Sequence, residues 1–441
     1  MACAASTRGS ADQNCAQRWE ELKSALIARG APPKAVAEAA LASAEVERAA
    51  GRWRAARRSL RAALAVADDT QLLAQAYVGL GYVELDDARL VAERRGARAG
   101  GATAPLALGP LRAALALRPQ YAAAHRGLGA ALLPAGAADL AEEPHLTLAR
   151  EALAHTSAAA ALNPNCALLH LQRGALGMRT RAARAEELVS AFEGALRVRP
   201  ASAAALQHVT TALQWAGRRA EADAAARRGV ALGLWANPWQ RPAKHVAGLT
   251  AKPWWAPSAA APGLCRRLRA HHAAIAAELA ALRNRAGGCA PQDEGLHDAR
   301  NGSWRVCDVM KRCRAGGAAR AAVAATCAAL RLAGVDDPGA ERGGWPMLSV
   351  QFSVLDGGSH VRPHTGTSNR KLVLHYGVAV PDGALLRAAA RWRPFRHAAC
   401  IAFDDSFEHE VRHLGAGPRA TLVVQVVHPD LRGDYYDFMT R

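Results

Sequence analysis

The hydrophobic period of this chain changes once, and that change limits what it can fold into. From about residue 35 to 235, apolar residues recur at helical spacing with alanine between them. From Met347 onward the period is two: Leu348, Val350, Phe352 and Val354 share one face, and Ser349, Gln351 and Ser353 the other. Side chains alternate faces along a strand, so this segment reads as a half-buried strand. Lys371 to Val380, Ala398 to Phe403 and Ala420 to Val427 are also strand-like, with Gly and Pro turns between them. Several short strands joined in this way predict a double-sheet barrel of the jelly-roll kind.

The helical stretch carries a weak repeat. Ala-Leu-Ala-Leu-Arg-Pro ends at Pro119, Ala-Ala-Leu-Asn-Pro at Pro164 and Ala-Leu-Arg-Val-Arg-Pro at Pro200. A new apolar helix follows each proline: Ala122 to Leu133, Ala167 to Leu176 and Ala203 to Leu213. Gly51-Arg52 and Gly217-Arg218 each open a further helix. The stretch resembles tetratricopeptide repeats, in which helix–turn–helix units recur about every 34 residues and stacking buries a continuous core. Gly100 to Pro110 and Ala135 to Pro144 read as loops. Pro238, Pro242, Pro253, Pro257 and Pro262 then punctuate a connector, with helices expected over 263–285 and 315–333.

A fold of α+β multidomain class is therefore expected. Its parts are a leader over 1–34 for which disorder is one reading, helical repeats over 35–235, a connector over 236–335 and a barrel core over 336–441. The formal charge of +18 comes mostly from arginines spread along the helices, with no dense basic tract. A nucleic-acid partner is not expected, whereas acidic substrates would be attracted. Nine scattered cysteines without a CxxC argue against a thiolate zinc site and for mostly reduced thiols, with one bridge among Cys307, Cys313 and Cys327 left open. No apolar run reaches the roughly 18 residues that a membrane span needs. The expectation is a soluble intracellular protein, cytoplasmic by default. The acid-poor, Ser- and Arg-containing start leaves organellar targeting open.

Candidate chemistry lies near the C-terminus. His364 sits in Arg362-Pro363-His364-Thr365-Gly366, and His409 in the string from Phe403 to Val411. Two imidazoles brought together by a sheet are a plausible iron site, because Fe(II) favours imidazole and oxygen ligands with open positions. The usual triad adds a carboxylate two residues after the first histidine, but that position here is Gly366. Arg419, at the start of the final strand, can hold a carboxylate bidentately, and Ser353 can donate a second hydrogen bond. His409-Glu410-Val411-Arg412-His413 also fits the HExxH pattern, which works only on a helix. Gly415, Gly417 and Pro418 leave little room for one. His271-His272 reads as a surface pair.

These strings together resemble the aspartyl/asparaginyl β-hydroxylase family of 2-oxoglutarate- and Fe(II)-dependent oxygenases. The matching motifs are Phe352-Ser353-Val354, Gly358-Ser359-His360-Val361, Pro363-His364-Thr365-Gly366, Leu374-His375-Tyr376-Gly377, Phe403 to Val411, and Arg419 with His428-Pro429-Asp430-Leu431. Trp239-Gln240-Arg241-Pro242 and Gly248 to Trp255 extend the resemblance upstream. It implies tetratricopeptide-like helices before a double-stranded β-helix (jelly-roll, cupin-like) domain. It implies Fe(II), 2-oxoglutarate and O2, and hydroxylation of the β-carbon of Asp or Asn residues in a protein or peptide, with release of succinate and CO2. Related enzymes act on lipid acyl chains, and a scaffold with a decayed oxygenase domain is the other alternative. By this resemblance His364 and His409 would ligate iron, and Ser353 and Arg419 would bind the distal carboxylate of 2-oxoglutarate. His375 would touch the metal-side carboxylate, and Asp405 would orient an iron-bound water. One departure is Val373, where the family often has an arginine for the metal-side carboxylate. Lys371, two residues earlier, is a candidate substitute.

Overall fold

The computed structural model describes residues 21–95, 104–132, 143–292, 295–298, 302–331 and 347–431, apart from residues 23, 27 and 316. Most of the expected leader, residues 100–103 of the first expected loop and residues 135–142 of the second lie outside the described residues. The chain divides into two compact units, residues 1–176 and 177–441.

The first unit is built of helices: α1 (Pro33–Ala49), α2 (Trp53–Val66), α3 (Thr70–Arg95), α4 (Leu108–Leu117), α5 (Ala122–Ala131), α6 (Glu143–Leu162) and the start of α7 (Ala167–Thr180). Gly51 closes the turn between α1 and α2 at φ 73°, a left-handed conformation that a side chain disfavours. Ala40, Ala44, Ala56, Ala63 and Ala76 are buried where helices meet, so the backbones approach closely. The Ser43 and Ser59 hydroxyls bond at 3.1 Å between α1 and α2. Arg57 on α2 grips Glu84 on α3 at 2.7 and 2.8 Å and Asp87 at 2.7 Å. These are stacked helix pairs of the tetratricopeptide-like kind. Pro110 and Pro144 fall inside the first turns of α4 and α6, not in loops. Proline is tolerated there because those N–H groups have no partner within the helix.

The second unit opens with α8 (Ala185–Val198), α9 (Ala203–Trp215) and α10 (Arg219–Ala231), again with a left-handed glycine, Gly217, between the last two. Its C-terminal part is a double-stranded β-helix. The larger sheet contains β1 (Trp254–Trp255), β2 (Ala290–Pro291), β3 (Trp304–Asp308), β4 (Met347–Leu355), β6 (Lys371–Ala379), β9 (Cys400–Phe403) and β11 (Arg419–Val427). Its spatial order is β1-β9-β6-β11-β4-β3-β2. The smaller sheet contains β5 (His360–His364), β7 (Ala384–Ala388), β8 (Arg391–Pro394) and β10 (His409–His413), in the order β5-β10-β7-β8. One core lies between the sheets, where Leu355, Val373, Leu386, Phe403 and Val411 meet. A second lies behind the larger sheet, where Phe352, Leu374, Tyr376 and Leu422 pack against helices. Those helices are α11 (Pro257–Ala260), α12 (Leu264–Ala270), α13 (His272–Asn284), α14 (Met310–Ala315), α15 (Gly317–Ala321) and α16 (Ala324–Leu330).

Two expectations fail here. Six of the nine cysteines pair, as Cys265–Cys400, Cys289–Cys307 and Cys313–Cys327. The Cys313–Cys327 bridge is the one left open among Cys307, Cys313 and Cys327; the other two join α12 to β9 and the start of β2 to β3, neighbours that linear spacing does not reveal. His272 is not a plain surface residue either. Its Nδ1 bonds the Tyr376 hydroxyl at 2.8 Å, and its ring stacks edge-on with His397.

Candidate active site

β5 and β10 are neighbours, and their register sets His364 directly opposite His409. The two ring centroids are 4.1 Å apart. Each ring is held by its own strand. His364 Nδ1 donates to the Arg362 carbonyl at 2.7 Å, and His409 Nδ1 donates to the Phe407 carbonyl at 2.9 Å. The proton stays on Nδ1, so Nε2 of each ring keeps a lone pair. Burial, helped by the neighbouring His409, lowers the His364 pKa to about 3; burial lowers that of His409 to about 4. Both rings are therefore neutral at physiological pH, the form that binds a metal. Among the described residues no group of three or more His, Cys, Asp or Glu side chains is arranged to hold a metal. The pair is a two-imidazole donor set.

Gly366 explains the missing third ligand. A Cβ built there would lie 2.7 Å from the carboxylate carbon of Asp405. The space that a side chain at 366 would need is already filled by an acid from the other side of the pocket. Asp405 is buried, and its carbonyl accepts from Gly366 N–H at 2.6 Å. Lys371 donates to its Oδ2 at 2.6 Å, while Oδ1 is buried without a hydrogen-bond partner.

Arg419, Ser353 and His375 gather on the larger sheet. Arg419 is 2% exposed; Nη2 donates to Ser353 Oγ at 3.1 Å, while among the described residues no carboxylate pairs with it and its buried Nε and Nη1 have no partner. Its guanidinium lies 4.7 Å from the Phe395 ring centroid. Desolvation lowers its pKa to about 10. A buried guanidinium with two unmet donors is costly unless an anion joins it. Ser353 on β4 faces Thr421 on β11, and Ser353 Oγ also accepts from Trp304 Nε1 at 3.0 Å. His375 reaches Thr421 Oγ1 at 3.3 Å and lies between Phe395 and Phe403. Burial, then the charge of Arg419, holds His375 well below the usual histidine range. Val373 is packed into the inner core on the same strand.

Several residues of the site had no signal in the motif search. Gln207 on α9 donates through Nε2 to Thr365 Oγ1 at 2.8 Å and to the Gly366 carbonyl at 3.0 Å. Trp215 Nε1 donates to the Pro363 carbonyl at 3.1 Å. The helix thus braces the end of β5 and the loop that follows His364. On the outer side of β10, Glu408 and Glu410 flank His409. Arg241 and Arg387 bond Glu408 at 2.7 and 2.6 Å, and Gln214 bonds it at 2.5 Å. Arg387 also bonds Glu410 at 2.5 Å, and His360 bonds it at 2.8 Å. Burial alone would raise Glu410, but His360 and Arg387 outweigh it and lower its pKa to about 2. His409 to His413 is strand, not helix, so the HExxH geometry does not arise.

The fold is a double-stranded β-helix that holds two paired, neutral histidines and a buried arginine with unmet donors. Residues 269–429 match the family model described as aspartyl/asparaginyl beta-hydroxylase, so the resemblance seen in the sequence is borne out. The mouse aspartyl/asparaginyl beta-hydroxylase is 33% identical over 142 residues, which is 32% of this chain and 18% of the relative. The human protein is 32% identical over the same length and shares. The mouse aspartate beta-hydroxylase domain-containing protein 1 is 33% identical over 85 residues, 19% of this chain and 24% of the relative. The match thus spans about a fifth of the length of the curated relatives. Among solved structures, MamA protein aligns at TM-score 0.32 with 19% identity, covering 43% of this chain and 88% of that one. YrrB, a TPR protein with an unusual peptide-binding site, aligns at TM-score 0.31 with 18% identity, covering 44% and 84%.

Proposed function

We propose that this chain is a 2-oxoglutarate- and Fe(II)-dependent dioxygenase that hydroxylates the β-carbon of Asp or Asn residues in a protein or peptide. The observation that carries this reading is Arg419, a buried cation with two unmet donors, placed across the pocket from two imidazoles that each keep a free Nε2. The residues fit the groups they would hold. His364 and His409 would take the iron through Nε2. Arg419 and Ser353 would take the distal carboxylate of 2-oxoglutarate, and His375 would face the metal-side carboxylate.

When bound, iron and 2-oxoglutarate would let O2 act as the oxidant, one oxygen atom entering succinate as 2-oxoglutarate loses CO2 and the other turning a substrate C–H into C–OH. The chain supplies position. The Arg362 and Phe407 carbonyls hold the Nδ1 protons of both imidazoles and so leave each Nε2 lone pair for a metal. Trp304 and Arg419 each donate to Ser353 Oγ, which leaves the serine proton free for an incoming carboxylate. Phe395, Phe403 and Val373 keep the pocket apolar, so each charged contact made there is strong. Asp405 Oδ1, with no hydrogen-bond partner among the described residues, is the acceptor that would orient a water. The test is succinate formation from 2-oxoglutarate with Fe(II), O2 and ascorbate over a panel of Asp- and Asn-containing peptides. Turnover that rises with peptide and vanishes in His364→Ala supports the reading. Absence of turnover together with absence of iron and 2-oxoglutarate binding overturns it.

A further inference from the structure

The open edge of the smaller sheet is β8, and its register ties it to the histidine pair. His364, His409, Ala388 and Arg391 form one cross-strand row. Residues in one row share a face, and Val411 and Leu386 on this face are core residues, so the row points into the barrel. Strands are about 4.8 Å apart, which puts the Arg391 backbone about 10 Å from that of His409. Two positions on, Arg393 lies in register with Leu386 and faces the same way. Every residue of β8 is exposed. No carboxylate among the described residues pairs with Arg391 or Arg393. Trp392 is 38% exposed, with the Arg412 guanidinium 5.1 Å from its ring centroid. Arg393 lies 4.4 Å from the ring centroid of Trp254, the first residue of β1.

We propose that β8 is a docking edge for an extended, acidic polypeptide, with Arg391 and Arg393 taking carboxylates at alternate positions. This rests on the polypeptide-hydroxylase reading above. The spacing carries the choice of occupant. Residues i and i+2 of a strand lie about 6.6 Å apart on one face, and so do alternate side chains of an extended peptide. In such a peptide, laid along β8, the side chains on the acidic face share the face of the His364–His409 row, and their neighbours point the opposite way. The alternative role for charged residues and Pro394 on an edge is to block unwanted strand pairing. That role needs no carboxylate ligand.

The experiment uses the full chain and two fluorescein-labelled peptides built around one Asn. One has Asp at alternate flanking positions and the other has Ser there. Anisotropy titrations at low and high salt give the affinities. The wild type is expected to bind the acidic peptide about tenfold more tightly at low salt, with the difference shrinking at high salt. Arg391→Glu with Arg393→Glu should abolish that preference, while Arg283→Glu on the distant α13 should keep it. Equal binding of both peptides by wild type, or a preference that survives the double variant, overturns the proposal and leaves an edge-blocking strand. Succinate release is read separately. A chain that binds the acidic peptide through β8 but never forms succinate keeps the docking edge and loses the hydroxylase. A chain that hydroxylates the acidic peptide with unchanged KM in the double variant loses the docking edge alone.

Discussion

Replacing Arg419 by methionine separates stability from ligand binding. Burial holds the guanidinium at a pKa of about 10, more than two units below its ordinary value. At about 1.4 kcal/mol per unit, that is roughly 3 kcal/mol against the charged, ligand-free fold. The sign follows from proton uptake. The folded chain binds this proton less tightly than the unfolded chain, so the penalty is complete below pH 10 and fades as pH rises above it. Methionine removes that penalty and fills similar volume, but it loses the bond to Ser353 and the stacking on Phe395. Those losses are worth about 1–3 kcal/mol together. Ligand-free Arg419→Met should therefore unfold at or slightly above the wild-type temperature. Its affinity for 2-oxoglutarate should fall by at least about 2 kcal/mol, or roughly thirtyfold, because a charge-assisted pair is lost. Thermal unfolding with and without 2-oxoglutarate, and anaerobic calorimetric titration, read both quantities. A variant that melts several degrees lower yet binds 2-oxoglutarate normally would refute the assignment of Arg419 as the anion anchor.

Other outcomes follow from the same geometry. Gly366→Ala pushes a methyl against the Asp405 carboxylate, and it should cost about 1–3 kcal/mol of stability and weaken metal binding, read by denaturant unfolding and metal titration. Asp404 is pushed up to about 7 by burial, against hydrogen bonds from Ser406 that oppose the shift. Between its unfolded value near 4 and pH 7 the folded chain holds the extra proton, so this group loses stability as pH rises through that window. Asp404→Asn should gain on the wild type from pH 4 to 7 and hold a constant difference above it, as measured by melts across pH. The Cys265–Cys400 bridge spans 135 residues, so Cys265→Ala with Cys400→Ala should lower stability by up to about 5 kcal/mol in denaturant melts. Gln207→Ala should loosen the Thr365–Gly366 loop and weaken metal affinity several-fold without unfolding the barrel, as judged by metal titration beside a melt.

The readable parts of the fold were those with long periodic segments. The strands at Met347, Lys371 and Arg419 appear within a residue of their expected limits because nine-residue strands with one core face leave a clear alternation. β5, β7, β8 and β10 were not foreseen. They are four or five residues long, and on β8 every residue is exposed, so no apolar alternation marks it. The helix expected over 263–285 breaks at His271, where the chain turns to pass from α12 to α13. The histidines, Ser353, His375 and Arg419 were legible because their strings carry a family resemblance. The helical brace from Gln207 and Trp215 was not, since a glutamine and a tryptophan in an alanine-rich helix carry no motif.

The sequence by itself determined the order of events along the chain: helical repeats, a proline-marked connector, then short strands bearing two histidines and an arginine. Hydrophobic period and turn residues are local properties, so they survive without coordinates. Tertiary structure decided what those residues face. It set His364 against His409 through strand register and filled the space beside Gly366 with Asp405. It also left Arg419 buried with no acid, and it joined six cysteines that lie 14 to 135 positions apart. Each of these depends on residues distant in the chain meeting in a low-dielectric interior, where an unpaired charge or an added methyl group has a large energetic effect.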